Sequence, residues 1–261
     1  MMPDLLNYPI LVFIISVLLL WAAALAGSRF RLSRKSQLAE DMREDFGVLL
    51  GASLTLLGLI IGFSFSMATS RYDQRKNYEE EEANAIGTEY LRADLLPAAA
   101  ASQLRALLRQ YTELRLQFYT ARNATQLRQI NEQTAQVQNR LWEAASAPVI
   151  AQPTPVQALV VSGMNDVINS QGYTQAAWWN RIPAAAWGLM GAIAVCCNLL
   201  FGFGSHFTNS RLFIVLPIVV GVSFFLIADI DSPRGGVIRV RPQNLQSLRA
   251  AFNSDSYPTH R

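Results

Sequence analysis

Four long apolar blocks, separated by charged segments, dominate the pattern of this chain. Residues 8–27, 46–68 and 182–205 contain no charged side chain, and the fourth block is uncharged up to Asp229. A helix needs about 20 apolar residues to cross the hydrocarbon core of a bilayer. The pattern therefore predicts an all-α membrane protein with four transmembrane helices, near 8–27, 46–68, 182–205 and 212–229. Pro217 is expected to kink the fourth helix.

A polar region lies between the second and third blocks, and its periodicity predicts a helical hairpin. Apolar residues recur there at steps of three and four, first at Leu104, Leu107, Tyr111, Leu114 and Phe118 and then at Leu127, Ile130, Thr134, Val137 and Leu141. Each stripe is typical of one face of an amphipathic helix. Turn-forming residues at 122–125 predict that the two helices are antiparallel. A break is expected at Pro148, Pro153 and Pro155, with a third apolar face at 156–168.

The blocks divide the chain into four parts. Residues 1–68 hold two spans with a basic connecting loop, 69–181 form a helical extramembrane region, 182–231 hold two further spans, and 232–261 form a C-terminal tail. The first block resembles a signal peptide in length, but its basic residues follow the block, which favours a retained anchor. Basic residues are nearly balanced between the two sides, so the orientation of the termini stays open.

Composition supports the membrane interpretation and excludes several kinds of site. Hydrophobic residues make up 51% of the chain and charged residues 16%, and the formal net charge is +3. That charge is too small to indicate nucleic-acid binding. Cys196 and Cys197 are adjacent and match no ligand spacing, while His206 and His260 are the only histidines. We therefore expect no metal site, no cofactor and no histidine-based catalysis.

The second block carries a stripe that could line a pore. Leu57, Ile61 and Phe65 follow one another at four-residue steps and share a helix face. Gly58 and Gly62 would let helices approach closely. If copies assembled around this helix, the three bulky residues would form an apolar constriction. Packing against lipid or another helix explains the same stripe, and both interpretations stay open.

Charged residues at the predicted membrane edge form a second candidate site. They are Arg71, Asp73, Arg75, Arg92, Asp94, Asp229, Asp231 and Arg234. Rings of charge at a pore mouth select ions, whereas solvated ion pairs on a helix contribute only a few tenths of a kcal/mol. Asp229 and Asp231 are two residues apart and point in different directions on a helix, which weakens a shared acid/base site. Pairing of these aspartates with arginines such as Arg71, Arg75 or Arg92 is expected.

Three stretches resemble the bestrophin-like family of uncharacterised bacterial membrane proteins. They are the second block with its SRYDQR exit at 70–75, the sequence EANAIGTEYLRADLLP at 82–97, and LIADIDSPR at 226–234. The second block and its exit also resemble, more distantly, the pore helix of bestrophin channels. That resemblance implies a pentameric ion channel of the bacterial inner membrane, with the second helix lining the pore. No acidic cluster of the calcium-clasp type is recognised, so calcium gating is not implied.

Three functional hypotheses follow. The first is a homo-oligomeric ion channel, in contact with the lipid bilayer and inorganic ions. The second is a membrane-anchored sensor or scaffold that acts through its helical region. The third, a membrane enzyme using Asp229 and Asp231, is the weakest, because the chain has no nucleophile motif and no phosphate-binding loop.

Overall fold

The computed structural model describes residues 5–33, 40–204 and 213–254, and most of these residues are helical. The helices are α1 (Pro9–Ser33), α2 (Glu40–Arg92), α3 (Ala98–Thr120), α4 (Ala124–Ala151), α5 (Pro155–Trp179), α6 (Ala184–Gly204), α7 (Val215–Asp231) and α8 (Gln243–Asn253). The described residues contain no β-strand, which confirms the all-α prediction. The predicted basic loop between the first two spans includes residues 34–39, which lie outside the described residues.

Three helical stretches are long and apolar enough to cross a membrane: Pro9–Phe30, Asp45–Leu95 and Pro155–Gly204. The fourth predicted span appears as α7, which has 17 residues and is shorter than these three. Pro217 lies in the first turn of α7, where backbone N–H groups have no partner within the helix. Helix α7 begins two residues earlier, at Val215, so the proline lies in the first turn and removes no hydrogen bond within the helix, and the reason for expecting a kink does not apply.

The chain folds as two compact units. Unit 1 comprises Met1–Tyr72 together with Arg181–Arg239, and unit 2 comprises Asp73–Asn180 together with Val240–Arg261. In unit 1, α1 packs against both α6 and α7. Its hydrophobic core consists of Val12, Leu20, Leu57, Ala68, Ile182, Met190, Ala194, Cys197, Val220, Phe224, Ile227, Ala228 and Ile230.

Glycines allow α1 and α6 to approach each other at backbone distance. A methyl group placed at Gly202 would lie 1.9 Å from the carbonyl oxygen of Ala24, and one at Gly27 would lie 2.1 Å from the carbonyl oxygen of Leu199. Close contact of this kind is a common way for apolar helices to associate in membranes.

The predicted hairpin forms in unit 2, where α3 packs against α4. All five residues of the first stripe are buried. In the second stripe Leu127 is half-buried and the other four residues are buried. Asn123 caps α4 by accepting a hydrogen bond from Gln126 N at 2.7 Å, so the turn signal in the sequence has a clear physical basis.

The break after the hairpin lies at Pro153 and Pro155, as predicted, but Pro148 does not take part in it. Helix α4 continues through Pro148 to Ala151, and the chain then turns at residues 152–154. Thr154 caps α5 by accepting a hydrogen bond from Gln157 N at 3.2 Å. Pro155 occupies the first position of α5, which suits its fixed backbone angle.

Candidate functional site

The three residues predicted to line a pore have different surroundings in unit 1. Leu57 is only 2% exposed and belongs to the hydrophobic core, and Ile61 is half-buried against that core. Phe65 is exposed. Within a single chain Leu57 is enclosed by the core, so we do not include it in the pore lining proposed below.

The opposite face of α2 is uncovered. Successive helix residues are about 100° apart, so Leu59 points about 160° away from Leu57. Leu59 and Phe63, one turn apart, are 54% and 66% exposed. Thr55 and Ser66 lie on the same side and are also exposed. This outer face of α2, defined by Thr55, Leu59, Phe63 and Ser66, combines bulky apolar and small side chains.

Two threonine hydroxyl groups along this apolar stretch donate hydrogen bonds within the helix. Thr55 Oγ1 donates to Gly51 O at 2.9 Å, and Thr69 Oγ1 donates to Phe65 O at 3.0 Å. These bonds remove the cost of bringing a hydroxyl donor into an apolar medium. The outer face of α2 is therefore compatible with a bilayer or with a dry contact.

The arginines that follow the stripe have separate surroundings. Arg71 is half-buried, with Nη2 3.6 Å from Met67 Sδ. Arg75 is buried in unit 2 and donates from Nε to Ala177 O at 3.2 Å and from Nη2 to Asn180 O at 3.3 Å. Arg75 therefore satisfies carbonyl groups at the end of α5. Asp73 is exposed.

Asp229 and Asp231 are buried in unit 1 and bind different groups. Asp229 accepts hydrogen bonds from Val237 N at 2.7 Å and Ile238 N at 2.8 Å. Asp231 accepts from Ile182 N at 3.2 Å and from Arg181 Nε at 3.3 Å. The two carboxylates thus organise two separate pieces of backbone, and this arrangement does not resemble an acid/base pair.

Arg181 was not among the predicted partners of the aspartates, but it binds Asp231 and two groups of the segment before α1. Besides Asp231, it donates from Nη1 to Asn7 Oδ1 at 2.6 Å and from Nη2 to Leu6 O at 3.3 Å. The side chain thereby ties the segment before α1 to the end of α7. Arg234 is half-buried in the same unit.

The remaining charged candidates lie in unit 2. Arg92 Nη1 is 4.0 Å from Glu89 Oε2. Asp94 forms an ion pair with Arg105 Nη2, and Arg105 also lies over the ring of Tyr90. Within the described residues, no group of three or more histidine, cysteine or acidic side chains could hold a metal ion.

Sequence reasoning missed a buried ion pair in unit 2. Arg115 Nε donates to Glu82 Oε1, and both side chains are fully buried. Glu82 Oε2 accepts a further bond from Thr174 Oγ1 at 3.1 Å, and the Arg115 guanidinium lies 4.4 Å from the ring centroid of Phe118. The pair joins α2, α3 and α5. The sequence feature that could have revealed this pair is Arg115 itself, a charged residue four positions after Tyr111 on the apolar face of α3.

Glu79, the first of four consecutive glutamates on α2, is a second buried acid. Glu79 Oε1 accepts a bond from Leu245 N at 3.0 Å, and Oε2 accepts from Asn244 Nδ2 at 2.7 Å. The carboxylate thus caps the first turn of α8, where backbone N–H groups have no helical partner. Burial raises the pKa of Glu79, and the bonds from Leu245 and Asn244 oppose that rise.

Comparisons with known proteins relate this fold to one family. The family model described as a bestrophin-like domain matches residues 16–245. A comparison with curated proteins found no match.

Crystal structures of a bacterial bestrophin homologue from Klebsiella pneumoniae, each with a single substitution, are similar to this chain. One has a TM-score of 0.65 at 14% identity and covers 92% of this chain and 97% of its own. Another has a TM-score of 0.63 at 14% identity, with 94% and 97% covered. A structure described as a membrane protein has a TM-score of 0.64 at 13% identity, with 93% and 96% covered. At sequence identities of 13–14%, the similarity to these crystal structures shows that the chain has the same fold.

Proposed function

Because this chain belongs to the family of bestrophin-like domains, we propose that it is a homo-oligomeric ion channel whose pore is lined by α2. The family resemblance makes a pentamer the expected assembly. The structural feature that supports this proposal is the exposure of the apolar part of α2. The apolar stretch of α2 is far less covered by the rest of the chain than that of α1.

An apolar helix with one covered face needs either lipid or other copies on its remaining sides. The covered face of α2 includes Leu57, Ser64 and Ala68. The outer face of α2 points away from them. Placing this face on the axis of a ring would bury it between copies and bring Leu59 and Phe63 together as an apolar constriction.

We propose four membrane crossings, by α1, the 46–68 part of α2, α6 and α7. Helix α7 has 17 residues and would extend about 25 Å, somewhat less than a hydrocarbon core of about 30 Å. A short crossing is accommodated by local thinning of the bilayer. In α2 the crossing ends before Arg71, because the charged residues that follow are costly in lipid.

A comparison of two leucines on α2 tests the proposal. The purified protein and its Leu59→Ala and Leu57→Ala variants would be reconstituted in liposomes, and ion flux would be measured under a salt gradient. Leu59→Ala should keep the particle mass and raise the flux, because it widens the constriction. Leu57→Ala is the matched control, and it should lower stability by about 2–5 kcal/mol through a core cavity.

Three results would contradict the proposal: a monomeric particle, no flux for the unmodified protein under any gradient, or a flux insensitive to both Leu59→Ala and Phe63→Ala. A stable partner complex in the absence of flux would favour the sensor or scaffold hypothesis. We do not propose an enzyme, because Asp229 and Asp231 bind separate structural groups.

A further inference from the structure

Glu89, near the end of α2 in unit 2, has an unusual environment for an acid. Its side chain is fully buried, and neither carboxyl oxygen has a hydrogen-bond partner among the described residues. Buried polar atoms nearly always have such partners. An ionised carboxylate without donors is also costly to bury, so the ionised form does not suit this position.

Charged groups from two helices surround the Glu89 carboxyl. On α2, Arg92 Nη1 lies 4.0 Å from Oε2, beyond hydrogen-bond distance, and its side chain is 32% exposed. On α5, Asp166 adds a negative charge. Burial raises the pKa of Glu89 from its ordinary value of 4.5 to about 8, Arg92 opposes the rise, and Asp166 adds to it.

A glycine on α5 makes room for this arrangement. A methyl group at Gly163 would lie 2.1 Å from Glu89 Oε2 and 2.2 Å from Arg92 Nη1. The carboxyl group is therefore pressed directly against the backbone of α5. A metal cation does not suit the site, because the Arg92 guanidinium supplies positive charge beside a single buried carboxylate. A proton requires no further ligands.

We propose that Glu89 is a proton-binding site that fastens the end of α2 to α5 at Gly163. When the two helices are packed, the carboxyl group is neutral. Loss of the proton creates a buried charge, which moves toward solvent and separates the helices at this point. This inference concerns unit 2 alone and is independent of the proposed channel function.

The pH dependence follows from the direction of the pKa change. The packed state binds the proton more tightly than the open state does, so packing is favoured at low pH. It weakens as pH rises from about 4.5 to about 8 and does not change further above that range. Within the range, one bound proton changes the packing equilibrium constant by about tenfold per pH unit.

The test is thermal unfolding of the full-length protein in detergent, from about pH 5 to about pH 9. Glu89→Gln carries a neutral side chain of the same shape, so subtracting its curve from that of the unmodified protein isolates this one group. The difference should change steadily up to about pH 8 and then level off. Glu80→Gln is the matched control, because Glu80 is exposed on the same helix; its difference curve should be flat. A flat curve for Glu89→Gln as well would overturn the proposal.

Infrared spectroscopy of the unmodified protein gives a second test that needs no folded Glu89 variant. The carbonyl band of a protonated carboxyl group should be present at neutral pH and disappear at alkaline pH. Gly163→Ala should shift this loss to lower pH, because the added methyl group pushes the Glu89 carboxyl toward solvent. A spectrum without any such titrating band would refute the proton site.

Discussion

At the scale of single residues, unit 2 buries several charged side chains. In the run of four glutamates on α2, Glu79 and Glu82 are buried, whereas Glu80 and Glu81 are exposed. The buried pair are three residues apart and therefore share a helix face. Glu79 and Glu82 each have specific donors, which is the condition under which burial of an ionised carboxylate is tolerated.

The first prediction concerns the buried ion pair. Arg115→Met should lower the free energy of unfolding by about 3–5 kcal/mol, because it leaves the Glu82 charge buried without its partner. Thermal or denaturant unfolding of the full-length protein in detergent measures this effect. Combining Arg115→Met with Glu82→Gln should recover much of the loss, because no uncompensated charge then remains.

An exposed ion pair in the same unit provides the control. Arg249 and Glu113 are 3.5 Å apart, with side chains 47% and 49% exposed. Arg249→Ala should change stability by less than about 1 kcal/mol. Equal effects of Arg115→Met and Arg249→Ala would contradict the importance assigned to the buried pair.

At the scale of helices, glycines permit the close packing of α1 against α6 in unit 1. The methyl group of an alanine at position 202 would meet the backbone of Ala24 on α1, and a backbone cannot move aside as a flexible side chain can. The α1–α6 contact thus depends on glycine at this position for steric reasons.

The second prediction follows from this contact. Gly202→Ala should destabilise the protein by about 1–3 kcal/mol, because α1 and α6 must separate to accept the methyl group. The melting temperature in detergent is the measurement. Gly188→Ala, in the same helix but with nothing within 4 Å of the new methyl group, should be neutral or slightly stabilising. Equal losses for both substitutions would show that the close approach is not the cause.

The third prediction concerns α8 and its cap. Glu79→Ala removes the acceptor for Leu245 N and Asn244 Nδ2, so α8 should open more often while the rest of unit 2 stays folded. Limited trypsin digestion should then cut faster after Arg249, with mass spectrometry identifying the site. Glu81→Ala, an exposed neighbour of the cap, is the control. Unchanged cleavage in Glu79→Ala would contradict the capping role.

At the scale of the whole molecule, the exposed apolar surface indicates a membrane environment. Large apolar side chains project from α1, α2, α6 and α7 without cover from the chain itself, including Ile10, Leu18, Phe63, Leu189 and Val219. Soluble monomers rarely expose apolar patches of this extent. Family membership and helix composition point to the same environment.

The fourth prediction is that the protein resists extraction from membranes by alkaline carbonate and needs detergent for solubilisation. Sedimentation after each treatment, followed by immunoblotting, measures the partition. The protein mass of the solubilised particle, with bound detergent subtracted, should then be an integer multiple of 29.0 kDa, and the family resemblance implies a multiple of five. Full release by carbonate would contradict membrane insertion.

The sequence by itself determined which segments are helices and which of them are apolar. The uncharged blocks are long enough for a bilayer, and the stripes of α3 and α4 repeat with the helical period, so local pattern was sufficient. The bestrophin-like resemblance was also readable from short stretches and is confirmed by the match over residues 16–245.

Only the tertiary structure decided where each face points and which charges meet. An apolar stripe suits lipid, a core or another copy equally well, so the sequence could not show that Leu57 faces inward while Leu59 faces outward. Glu82 and Arg115 are 33 residues apart, and Arg181 and Asp231 are 50 apart. No local spacing encodes such pairs. They form because long-range packing brings helices together, and burial then makes each charge depend on the partner placed beside it.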